Sequence, residues 1–66
     1  MTPLSEAEHK FLTEVLNDGY NSDLTTKWEK DFCGDMLRRL NEYQLDTHIS
    51  DKQWNTVSRI ETKVYQ

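Results

Sequence analysis

Residues 49–54 read Ile49-Ser50-Asp51-Lys52-Gln53-Trp54, and this hexapeptide decides the fold. Ser50 stands three residues before Gln53, the spacing at which a hydroxyl accepts from an early helix N–H while the amide reaches back to the cap. Ile49 and Trp54 flank that pair at the spacing of a hydrophobic staple, so a helix opens at Ser50. The same grammar occurs twice upstream. Leu4-Ser5 precedes Glu8, and Leu24-Thr25-Thr26 precedes Glu29, with either Thr25 or Thr26 able to serve as the middle cap. Three starts imply three helices.

Working outward from the caps, the apolar residues fall at helical spacing. Ala7, Phe11, Leu12, Val15 and Leu16 line a first helix over about 5–17, and Asn17-Asp18-Gly19 reads as its stop, with Gly19 suited to a left-handed position. Trp28, Phe32, Cys33, Met36, Leu37, Leu40 and Tyr43 line a second over about 25–43. That stripe covers about half the circumference, which suits a central helix with two neighbours. Trp54, Val57, Ile60 and Val64 line a third over about 50–65. Alternation typical of strands is missing, so the expected fold is all-α, a small three-helix bundle in which Trp28, Phe32, Leu40, Trp54 and Val57 share one core. Pro3 lies ahead of the first cap, where it breaks nothing.

Sixty-six residues make 1–66 a single helical domain, with no room for a large substrate cleft. Apolar residues are 35% of the chain, a thin supply for a core, although seven aromatics favour folding over disorder. No apolar run approaches the roughly 20 residues of a membrane span. Residues 1–10 carry Glu6 and Glu8 and lack the apolar stretch of an export signal, so the expected location is the cytoplasm, that of the host if the protein is phage-encoded. Cys33 is alone, which excludes an internal disulfide.

The chain is acidic, with a net charge of −4, but unevenly so. Residues 1–35 hold eight acids against three bases, and residues 36–66 hold four acids against five bases. An acidic whole opposes non-specific binding to nucleic acid, while the basic second half keeps a local version of it open. The acids of the first half are too often interrupted by Lys10, Lys27 and Lys30 to imitate a DNA backbone.

A resemblance is carried by Trp28-Glu29, Phe32, Leu37 to Leu40, residues 49–54, Arg59-Ile60 and Lys63-Val64. Over about residues 24–64 the chain resembles short helical modules of phage and bacterial DNA-metabolism proteins, which occur alone or attached to helicase- or primase-like enzymes. The resemblance implies a phage or bacterial origin and a setting near replication or recombination machinery. It brings no catalytic residue.

Two faces are candidates for contact. On the third helix Lys52, Asn55, Thr56, Arg59 and Lys63 fall within about 100° of one another, a face able to meet phosphates or a partner protein. The plainer reading is a solvated face with bases near a helix C-terminus. The connection before this helix is longer than the tight turn of a helix-turn-helix. On the second helix Gly34 lies on the polar side with Lys27, Lys30, Asp31, Arg38 and Asn41. A mid-helix glycine costs roughly 1 kcal/mol relative to alanine, so this face is a candidate protein contact, against the plainer alternatives of drift or a bend.

Chemistry finds no foothold. His9 and His48 lack a third ligand at metal spacing, and Cys33 sits in the apolar stripe as a small hydrophobe. Glu29, Asp31 and Asp35 point to different sides of their helix. With Gly19 and Gly34 the only glycines, there is no phosphate loop. The expectation is no enzyme, no cofactor, no metal and no membrane. A non-catalytic accessory or regulatory protein that binds another protein is expected first. Nucleic-acid binding through the third helix comes second, and inhibition of a host enzyme or defence system third.

Overall fold

The computed structural model describes residues 3–65 and forms three helices around one core. They are α1 (Glu6–Asn21), α2 (Lys27–Tyr43) and α3 (Asp51–Val64), with a 3-10 turn at Gln44–Asp46 between the last two. All three capping boxes close. The hydroxyls of Ser5, Thr26 and Ser50 accept from the backbone N–H of Glu8, Glu29 and Gln53 at 3.1, 3.1 and 3.2 Å. The three side chains return the bond to the cap N–H at 2.9, 2.8 and 2.9 Å. Thr26 is therefore the middle cap.

Its neighbour Thr25 has a different task. It is buried, and its hydroxyl donates to the carbonyl of Gly19 at 2.7 Å, satisfying one of the orphan acceptors at the end of α1. Lys30 adds to this by donating to the Thr25 hydroxyl at 2.7 Å and to the Ser22 carbonyl. The last turn of α1 has no basic residue of its own, so α2 supplies the cation that its dipole favours.

Helix α1 passes through the expected stop and ends at Asn21. Gly19 is not in a left-handed conformation but is buried and helical. A Cβ there would lie 2.6 Å from Cγ2 of Ile60 on α3 and 3.0 Å from Sγ of Cys33 on α2. At this glycine, side chains from both other helices close on the backbone of α1. A glycine near a helix end suits either role, and the residues that decide between them are distant in sequence.

A second correction concerns which helix is central. The backbone of α1 lies close to both α2 and α3, whereas α2 and α3 hardly approach each other. The core consists of Leu4, Leu12, Val15, Leu16, Cys33, Met36, Leu40, Val57 and Ile60. Phe32 and Trp54 pack partly against it, as expected, but Trp28 is 64% exposed and does not join it. Ala7, Phe11 and Tyr43 are exposed as well. The wide apolar stripe on α2 is thus only partly used.

The α2–α3 corner is tight. Gln44 takes φ 53° and ψ −127°, a conformation that side-chain-bearing residues seldom adopt. Buried Thr47 donates its hydroxyl to the Gln44 carbonyl at 2.8 Å and holds the turn. Leu4 donates its N–H to the carbonyl of Leu45 at 3.1 Å, tying the N-terminal segment to the same corner. No helix among the described residues is long and apolar enough to cross a membrane.

Candidate functional site

The open seam between α2 and α3 holds the most distinctive surface. Trp28 stacks on Phe32 with ring centroids 5.9 Å apart and planes 15° from parallel. The pair, with Lys52, Gln53 and Thr56 of α3, lines a shallow groove of about 220 Å³. Leu24, in the turn before α2, is 64% exposed, like Trp28. Phe32 stacks against one face of the indole, and the Trp28 side chain stays largely exposed. Helical periodicity assigns Trp28 to the core because it counts apolar positions. Trp28 sits about 100° from the centre of the buried face of α2, and only the wide α2–α3 separation shows that this flank stays open.

Deeper in the seam, Lys63 donates to Oε1 of Glu29 at 2.7 Å. Glu29 is buried, and the Lys63 bond followed by the bond from the Thr26 backbone holds its carboxyl below the ordinary 4.5. This pair changes the reading of the α3 face. Lys63 is spent on Glu29, and the Thr56 hydroxyl donates to the carbonyl of Lys52 at 3.0 Å. Lys52, Asn55 and Arg59 remain exposed. The two cations left on this face neutralise few phosphates, and affinity for nucleic acid grows with the number neutralised.

The α2 face is rearranged too. Lys30 is tied to Ser22 and Thr25, as described. Gly34 is half-buried under Tyr20, whose Cε2 would lie 3.3 Å from an added Cβ. Lys27, Asp31, Arg38 and Asn41 are exposed. Asp35 accepts from Arg38 at 2.8 Å and lies 3.4 Å from Arg39. Tyr20, absent from the sequence-derived face, covers part of it because α1 runs a turn longer than its Asn-Asp-Gly signal suggests.

Burial, reinforced by the charge of Glu29, pushes the Cys33 thiol up to about 11, so it stays protonated at neutral pH. The hydroxyl of Tyr65 donates to Asp18 at 2.5 Å, and this bond, more than burial, raises it to about 12. That contact pins the end of α3 to α1. His9 keeps a buried Nε2 without a partner among the described residues, beside a groove lined by Thr13, Leu37 and Asn41. Among the described residues no three His, Cys, Asp or Glu side chains converge to hold a metal. No family model, curated protein or solved structure matches the chain.

Proposed function

We propose that this chain is a small non-catalytic helical protein that works by binding another protein, as an accessory or regulatory factor in phage or bacterial DNA metabolism. The observation that carries the reading is the exposure of Trp28, stacked on Phe32. A chain short of apolar residues leaves one of its two tryptophans outside the core, and exposed apolar patches with polar rims mark contact surfaces. Tryptophan in such a position is the residue type most enriched among interface hot spots. The DNA-metabolism setting rests on the resemblance over residues 24–64. Lys52 at the groove edge favours a partner segment that pairs an apolar residue with an acidic neighbour.

The test places a photo-crosslinking amino acid at Thr56, on the groove edge, and exposes the chain to bacterial lysate. The expected product is a crosslink to a replication or recombination protein that disappears when Trp28→Ala is added. A crosslink that survives Trp28→Ala contradicts the reading. One made to nucleic acid instead replaces it with the reading based on Lys52, Asn55 and Arg59.

A further inference from the structure

The outer face of α2 carries a charge pattern that is its own complement. Lys27, Asp31, Arg38 and Glu42 fall within about 60° of one another on the helix, opposite buried Glu29, Cys33, Met36 and Leu40. All four are exposed. When α2 is laid antiparallel on a second α2, with the midpoint between Gly34 and Asp35 as the twofold axis, Lys27 meets Glu42 and Asp31 meets Arg38. Each pair forms twice, about 11 Å and about 5 Å either side of the axis. We infer that this face binds a second copy of the chain as an antiparallel α2–α2 dimer.

Four features support a second copy as the occupant. Among the described residues, no hydrogen bond or ion pair within the chain engages the side chains of Lys27, Asp31 or Glu42. Pairing within the helix is poor compensation, because both i,i+4 couples run cation first, the weaker orientation. Gly34 lies near the crossing point, and having no side chain it lets the Tyr20 ring of α1 settle over it as part of the surface a second copy would meet. Tyr20, half exposed beside Gly34, flanks the axis and would meet its own symmetry mate, adding apolar contact.

One repulsion lies near the axis, between the two Asp35 carboxylates. Each lies 3.4 Å from Arg39 of its own chain, and Arg38, 2.8 Å away, has enough N–H donors to be shared between it and Asp31 of the second copy. A twofold arrangement requires a patch that recognises itself, and this pattern meets that condition with no unmatched charge among its four members. An interface of one polar helix face, roughly 22 Å long, is of the weak and salt-sensitive kind. The surface is separate from the Trp28 groove, so either can fail without the other.

Sedimentation velocity on the purified chain at low ionic strength tests the inference, from about 10 μM to about 1 mM, the range suited to a few exposed ion pairs. The expected result is a rise from 7.9 kDa towards twice that mass, reversed by salt. Lys27→Glu alone and Glu42→Lys alone should each raise the dissociation constant roughly tenfold, since each sets like charges opposite each other twice. Mixing the two variants should restore the dimer. In the mixed pair, position 27 of each chain again faces the opposite charge at position 42 of the other. Circular dichroism of each variant confirms that the helices persist. A wild-type chain that stays at 7.9 kDa throughout overturns the inference, as do variants that dimerise like wild type or a mixture that fails to recover.

Discussion

Replacing each glycine with alanine should move stability in opposite directions, and the structure sets both signs. In each case the helix backbone gains about 1 kcal/mol from the better helix former. At Gly19 the new methyl meets Cγ2 of Ile60 at 2.6 Å, about an ångström inside ordinary carbon contact, and the Cys33 sulfur at 3.0 Å. Ile60 and Cys33 are both 0% exposed, so neither can swing aside. Overpacking of this kind costs about 1–3 kcal/mol, and so close an approach belongs at the upper end. The net loss for Gly19→Ala is then about 1–2 kcal/mol, a fall in Tm of roughly 5–15 °C for a domain this small. At Gly34 the nearest atom is Cε2 of Tyr20 at 3.3 Å, the end of a half-exposed ring that can give way. Gly34→Ala should therefore gain about 0.5–1 kcal/mol. Urea denaturation followed by far-UV circular dichroism reads both. A Gly19→Ala variant as stable as wild type would refute the close seating of α1 against α2 and α3.

Other expectations follow from the same contacts. Lys63→Met should cost about 1–2 kcal/mol, less than a fully buried pair because Lys63 is partly solvated, and thermal unfolding would show it. Glu29 has a lowered folded pKa, so its contribution is complete above its ordinary value of 4.5 and is lost as the pH falls through the folded value. Acid unfolding of wild type should accordingly be steeper than that of Lys63→Met. Gln44→Gly should gain about 0.5–1 kcal/mol by relieving the positive φ, offset in part by added chain entropy and by loss of the side-chain bond to the Asn41 carbonyl, measurable as a raised urea midpoint. Phe32→Ala should destabilise by about 2–3 kcal/mol, below the value for a fully buried ring, whereas Trp28→Ala should change the melting temperature little.

Local features are legible in the sequence and distant ones are not. Each capping box lies within four residues, so Ser5, Thr26 and Ser50 announce the helices before any tertiary contact exists. The choice between Thr25 and Thr26 needs the end of α1, since Thr25 caps Gly19 rather than α2. Gly19 reads as a stop because its partners Ile60 and Cys33 come from two other helices. Helical periodicity places Leu12, Met36, Leu40, Val57 and Ile60 in the core correctly, where one face is buried outright. It fails at Trp28, on a flank whose burial depends on how far α3 stands from α2. Lys63 looks like part of a basic face because Glu29, its partner, lies 34 residues away. On the α2 face, Lys30 is drawn off to the loop it caps and Tyr20 of the longer α1 lies over Gly34, neither of which helix spacing within α2 can show.

The exposed indole of Trp28 is the observation on which the proposed function stands, and fluorescence tests it without any partner. The chain has two tryptophans, so Trp54→Phe leaves Trp28 as the sole reporter. Its emission in the folded protein should be red-shifted and readily quenched by acrylamide, as for a side chain 64% exposed. A blue-shifted, protected emission that reddens only on unfolding would put Trp28 in the core and contradict the account.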